Sequence, residues 1–338
     1  MKTKKVLVAL IAIGSIFSGS LPASATFNVV EPFGTEGALS SDWVAAGSVV
    51  PSVVKHEGDT PENALRLTTN ENDQAGYVLY DKQFNLSQGV QFEFTQYQWG
   101  GDGADGLVFF IKNATDTTNV QGGRGGAMGY SPNGQSFAGI SGALIGVGFD
   151  AYGNFRNYQG TGCDPFEWAE IKNQITILGP GQEYAGYCRL ADPYDLTSNS
   201  KKLLHNFYDS RLASAAAVKI IIESPYTDSP KLKVYYENTL VHDLALPAAF
   251  SSTANIKFGF TAGTGALNNF HEISNLRVKT LDATLPFRDV ASDDFVAGVD
   301  DLANTGGSLS DYYLLIGSAL ALIGAGFYSA RKGVKAGK

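Results

Sequence analysis

Two acids in this chain stand where a loop meets an apolar run. Asp105 lies in Gly103-Ala-Asp-Gly106 and leads straight into Leu107-Val-Phe-Phe-Ile111. Asp150 closes a second apolar run in Gly146-Val-Gly-Phe-Asp-Ala-Tyr-Gly-Asn154. An ionised carboxylate accepts hydroxyl donors at both oxygens, and carboxylate, carbonyl and amide oxygens are the ligands a hard cation prefers. Brought together at the rim of a sheet, these residues suit Ca²⁺ and a polyhydroxyl ligand. Each motif alone reads as an ordinary turn, since Asp, Asn and Gly favour turns.

The elements that must position them are strands. Val90 to Tyr97, Lys231 to Tyr236 and Ile273 to Val278 alternate in hydropathy, the period of a half-buried strand. Gly106 to Ile111, Leu144 to Phe149 and Val218 to Ile222 are short, mostly apolar and bounded by turn residues, as buried strands are. Glycine-rich turns separate them, at Gly100 to Gly103 and Gly122 to Gly129. Helical periodicity is scarce and no long repeat is present. The pattern is all-β and predicts a sandwich of antiparallel sheets.

The two ends carry export signals. Lys2, Lys4 and Lys5, the apolar run Val6 to Phe17 and Ala23-Ser-Ala25 form a signal peptide over residues 1–25. At the other end Leu302-Ala-Asn-Thr-Gly306 precedes an apolar segment, Tyr312 to Tyr328, and then Arg331, Lys332, Lys335 and Lys338. This order resembles a sortase cell-wall sorting signal over 302–338, with Ala303 in place of the usual proline. It implies cleavage between Thr305 and Gly306 and transfer of Thr305 to a peptidoglycan precursor, on the outer surface of a Gram-positive cell. The plainer alternative is a C-terminal membrane anchor. Residues 283–301 have several Asp and few aromatics and read as a linker. A single domain, 26–282, remains.

Between Thr26 and Thr305 stand 18 basic and 32 acidic residues, a net charge of −14. So acidic a surface excludes nucleic acid and anionic lipid as partners. Cys163 and Cys188 are the only cysteines; in an exported chain an even pair is most simply a disulfide.

Four segments in order resemble the L-type (legume-type) lectins in their bacterial form. They are Trp99 to Phe110, Gly125 to Tyr130, Val147 to Asn154, and Phe258 to Gly265 running on through His271 to Val278. The resemblance implies a concanavalin-like jelly roll and carbohydrate binding. Asp105, after a cis bond from Ala104, matches the acid that accepts from sugar hydroxyls. Gly125 and Gly126 match the loop whose backbone N–H reaches the sugar. Asn154 matches the residue that binds both calcium and sugar, and Tyr152 the aromatic that stacks on the ring and gives its carbonyl to the metal. The loop Ala262 to Asn269, with Gly265, Ala266 and Leu267, matches the specificity loop. Asp150 and Asp164 match the calcium carboxylates. Gly148 stands where the family has a metal-binding glutamate, and the downstream histidine is absent, so no transition metal is expected beside the Ca²⁺.

Glycan-cleaving enzymes share such sandwiches and need two carboxyls about 5 Å apart when retaining. The strand ending at Asp150 lacks the flanking glutamates of that pattern. Glu167 and Glu170 lie in a loop-like stretch, and the chain has neither a Gly-x-Ser-x-Gly nor a His-Glu-x-x-His motif. The sequence points to a wall-anchored, non-enzymatic adhesin that binds glycans. The alternative is a protein-binding adhesin on the same scaffold.

Overall fold

Phenylalanines spaced two apart decide how this chain layers. The computed structural model describes residues 29–55, 62–85, 89–165, 167–197, 203, 210–223, 230–247, 250 and 255–281. The segments read as signal peptide, linker and sorting signal, with Thr305 and Gly306, lie outside the described residues. In chain order the strands are β1 (Val29–Glu31), β2 (Trp43–Gly47), β3 (Ser52–Val54), β4 (Ala64–Thr68), β5 (Ala75–Asn85), β6 (Val90–Trp99) and β7 (Gly106–Asn113). Next come β8 (Ala143–Asp150), β9 (Gln174–Leu178), β10 (Gly181–Gln182), β11 (Ala185–Gly186) and β12 (Tyr194–Asp195). The last are β13 (Ala216–Glu223), β14 (Lys231–Tyr236), β15 (Thr239–Ala245), β16 (Asn255–Gly263) and β17 (Phe270–Thr280). One short helix, α1 (Arg211–Ser214), precedes β13. Among the described residues no helix is long and apolar enough to cross a membrane.

The strands form two antiparallel sheets, the expected sandwich. One runs β15-β14-β13-β6-β17-β4-β3, with β1 also on β17. The other runs β11-β10-β8-β7-β16-β5-β2, with β9 on β8 and β12 on β9. Alternate residues of each central strand point between the sheets. Phe92 and Phe94 of β6 meet Phe109 of β7 and Phe258 and Phe260 of β16. Their ring centroids lie 4.8 Å (Phe92–Phe109), 4.9 Å (Phe92–Phe258) and 5.0 Å (Phe94–Phe260) apart. Each such ring stabilises by roughly 1.5–3 kcal/mol on burial.

The unbroken apolar run of β7 has a second cause. Leu107, Phe109 and Ile111 face the main core. Val108 and Phe110 face the other way, into a second apolar cluster with Met128, Tyr130, Phe155 and Tyr187. Those four come from loops, so the second sheet is covered on both faces near β7. Two glycines of β8 make the room. A Cβ on Gly146 would lie 2.7 Å from the Tyr130 ring, and one on Gly148 would lie 2.4 Å from the Phe155 ring.

Cys163 and Cys188 form a disulfide across 25 positions, with Cα atoms 5.2 Å apart. It ties the segment after β8 to the one after β11. A Cys163→Ser/Cys188→Ser protein is expected to lose about 3 kcal/mol of stability, the loop-closure value for this length. Denaturant unfolding of oxidised wild type and the variant checks this; equal midpoints would refute it.

Candidate functional site

The site forms where three strand ends of the second sheet meet. The register sets Gly106, at the start of β7, opposite both Asp150 at the end of β8 and Gly263 at the end of β16. Asp105 is therefore held between two neighbouring strand ends. Its N–H donates to Gly263 O (3.2 Å), and its carbonyl accepts from Ala151 N (3.0 Å) and Tyr152 N (3.1 Å). The Ala104–Asp105 peptide is cis. The preceding turn is fixed from the opposite loop: Asn268 O accepts from Asp102 N (2.9 Å) and Gly103 N (3.1 Å). Asn269 Oδ1 accepts from Gly101 N (3.2 Å) and Gly103 N (3.3 Å).

The glycine-rich loop closes in from a third side. Gly125 N donates to Thr264 O (3.1 Å). Gly126 lies so close to Asn154 and Tyr158 that a Cβ there would be 2.2 Å from Asn154 Oδ1 and 2.3 Å from the Tyr158 ring. Any side chain at 126 would push both residues away.

These pieces enclose a cavity of about 320 Å³. All eight residues singled out for carbohydrate binding line it: Asp105, Gly125, Gly126, Tyr152, Asn154, Gly265, Ala266 and Leu267. Asp73, Ala104, Arg124, Asn133, Phe137 and Tyr158 also line it and were not foreseen. Arg124 carried a legible signal, as the only charged residue within Gly122-Gly-Arg-Gly-Gly126. Tyr158 carried none.

Two buried acceptors in this wall have no hydrogen-bond partner among the described residues: Asp105 Oδ2 and Asn154 Oδ1. Their residues are only 5% and 8% exposed. Burial, and then the nearby charge of Asp150, push the Asp105 carboxyl up to about 8, against the pull of the Gly265 amide. Among the described residues fifteen buried side-chain atoms lack a hydrogen-bond partner; these two are the ones in the cavity wall, where a ligand, a water or an ion can supply it. Tyr152 is positioned by its neighbours: its hydroxyl bonds the Glu170 side chain, which raises its pKa. Lys172 Nζ stands 5.6 Å from the centre of its ring.

Of the four residues expected to hold Ca²⁺, Tyr152 and Asn154 line the cavity and Asp150 and Asp164 do not. Asp150 is fully buried, and both its oxygens are taken by backbone: Oδ1 accepts from Gly153 N (2.6 Å) and Oδ2 from Phe155 N (2.8 Å). Burial raises it to about 7 in spite of those bonds. Asp164 is exposed and does not line the cavity. Asn154 Oδ1 and the Tyr152 carbonyl are the remaining oxygens, and Ca²⁺ takes six to eight. Among the described residues no three acidic, His or Cys side chains are grouped to hold a metal. The volume a glutamate at 148 would need is filled by Phe155, with Met128 Cε 2.9 Å from the same point. In this protein the loop after β8 is closed by carboxylate–amide bonds and by apolar packing. EDTA is therefore expected to leave both the melting temperature and ligand affinity unchanged. A fall in either on chelation, restored by Ca²⁺, would overturn this.

Two acids line the cavity, Asp105 and the exposed Asp73. Asp105 has an unpartnered oxygen, but its neighbour Asp150 is committed to backbone. Glu167 and Glu170 are exposed, and neither lines the cavity.

No family model matches the chain. Solved structures similar to it include the VIP36 exoplasmic/lumenal domain in its Ca²⁺/Man3GlcNAc-bound form, at 15% identity and TM-score 0.46, covering 78% of this chain and 94% of that one. The Emp46p carbohydrate recognition domain in its potassium-bound form gives 14% and 0.44, covering 71% and 88%. Peanut lectin with a nine-residue peptide gives 19% and 0.46, covering 73% and 94%. All three TM-scores lie below 0.5.

Proposed function

We propose that this protein is a carbohydrate-binding adhesin of the cell surface. The observation that carries the reading is the pair of unpartnered buried acceptors, Asp105 Oδ2 and Asn154 Oδ1, in one small cavity walled by glycine backbone and tyrosine rings. A sugar ring supplies what such a wall lacks. Its hydroxyls donate to the two acceptors, and its apolar face packs on Tyr152 or Tyr158. The glycines at 125, 126 and 265 let the backbone come close enough to bond it. Single sites of this size bind weakly, and many copies on one surface raise the avidity.

The surface location rests on the sequence of the two ends. The signal peptide directs export, and the Leu302 to Gly306 motif, the apolar segment and the basic tail direct covalent attachment through Thr305. Mass spectrometry of cell-wall digests tests this: peptidoglycan on a Thr305 carboxyl end supports it, and an intact Lys338 end refutes it.

A glycan array probed with wild-type and Asp105→Ala proteins tests the activity. Wild type is expected to bind a restricted set of glycans and the variant none. Adhesion that survives in the variant and resists free saccharide would instead show a protein-binding adhesin.

A further inference from the structure

We propose that Trp168 is the platform of a second sugar subsite beside the cavity, so that the ligand is an oligosaccharide bound across at least two rings. The proposal rests on the carbohydrate reading of the cavity. The chain has three tryptophans. Trp43 and Trp99 are 6% and 9% exposed, whereas Trp168 is 65% exposed. One exposed apolar residue is ordinary on a protein surface, so what matters is how Trp168 is held and what it adjoins.

It is held in place. The next residue, Ala169, is clamped at both backbone groups by the Asn157 side chain: Asn157 Nδ2 donates to Ala169 O (2.6 Å), and Ala169 N donates to Asn157 Oδ1 (3.2 Å). Two residues on, Ile171 N donates to Gly153 O (2.8 Å). Between them, Glu170 bonds the Tyr152 hydroxyl. The disulfide at Cys163 anchors the same segment upstream.

It is also continuous with the cavity. The Trp168 ring packs edge-on against Tyr158, with centroids 6.0 Å apart and planes at 64°. Tyr158 is cavity wall and touches Gly126. From Asp105 and Asn154 the path outward therefore runs over Tyr158 to Trp168. The cavity, about 320 Å³, is at the small end of ligand pockets, so a longer glycan must leave it. Trp168 offers the next ring an apolar face and an N–H donor. Exposed Glu167 and Glu170 flank it, which disfavours an anionic membrane as the occupant.

The test uses a panel of methyl glycosides of common hexoses and N-acetylhexosamines, with the di- and trisaccharides that end in them. Because Trp168 is the one exposed tryptophan of the three, its emission reports directly. A bound trisaccharide is expected to shift the emission to the blue and shield it from acrylamide. The matching methyl glycoside is expected to do neither. Trp168→Ala is expected to weaken trisaccharide binding about tenfold, the worth of one good aromatic contact, and to weaken methyl-glycoside binding by less. Trp168→Phe is expected to retain most of the affinity. Equal trisaccharide affinity in wild type and Trp168→Ala, with methyl-glycoside binding intact, would overturn the platform alone. A wild-type protein that binds no member of the panel would overturn the cavity reading itself, and the platform with it.

Discussion

An Asp105→Asn protein is expected to melt higher than wild type at pH 8, yet to bind sugar roughly ten- to a hundredfold more weakly. Both effects come from the same carboxyl. Its ordinary value is 3.8 and burial beside Asp150 raises it to about 8. Asp150 is raised in the same direction, to about 7. A carboxyl whose folded value is raised binds its proton more tightly in the native state than in the unfolded chain. Its contribution to stability is fully present below the unfolded value near 3.8, and is lost as pH rises through the folded values of about 7 and 8. Asparagine has the same shape and no charge to desolvate. The variant should therefore gain on wild type as pH rises from 5 to 8, and its melting temperature should depend less on pH. Binding goes the other way. An ionised carboxylate accepts from two hydroxyls, the amide nitrogen accepts from none, and a hydrogen bond to a charged group is worth about 1.5–3 kcal/mol. Calorimetric titration at pH 6 and 8 should show wild-type affinity rising with pH and the variant weak at both. A variant that binds like wild type would remove Asp105 from the site.

The second large effect is expected outside the cavity wall, at Arg211. Its guanidinium is buried and bonds Glu272 through Nε (2.7 Å) and Nη2 (3.3 Å). Glu272 is fully buried, and also accepts from Arg66 Nε (2.6 Å) and Trp99 Nε1 (2.9 Å). Replacing Arg211 by Met leaves the carboxylate short of a partner it cannot exchange for water. Such a loss costs about 3–5 kcal/mol, a fall in melting temperature on the order of 10 °C for a domain of this size. The damage should reach the site. Trp99 packs on Phe270 with ring centroids 4.7 Å apart, and the two residues end β6 and begin β17. Between them lie the Gly100 to Ala104 turn and the Asn268–Asn269 pair that fixes it. Arg211→Met is therefore expected to weaken sugar binding at temperatures where the protein is still folded. Calorimetric melting and titration on one preparation check both; an unchanged melting temperature would show that the network contributes no net stability.

Much of the cavity was legible because its parts are local. Asp105, Gly125, Gly126 and Asn154 each sit in a short segment whose glycines mark a turn, and the segments follow one another in the chain. Six of the strands were legible for the same reason, with β14 matching residue for residue and others, such as β6 and β8, extending by one or two. What was hidden depends on partners without a residue signature. Asp150 looks like a metal acid, but its oxygens are filled by the N–H groups of Gly153 and Phe155, and every residue but proline carries an N–H. Phe155 reads as one more apolar residue until the space over Gly148 is seen. The Glu272 network joins positions 66, 99, 211 and 272, which no spacing connects.

The covalent tie between Cys163 and Cys188 changes what the surroundings can control. Both cysteines are only half-buried, and thiol–disulfide exchange follows access and thiolate supply. The tie anchors the segment that carries Trp168 and the residues that position Tyr152. With the loop after β8 closed by Asp150 and Phe155, free cations are expected to have little hold on this domain. Redox poise is expected to have more: reduction of the disulfide should loosen the rim of the cavity, and reoxidation should restore it.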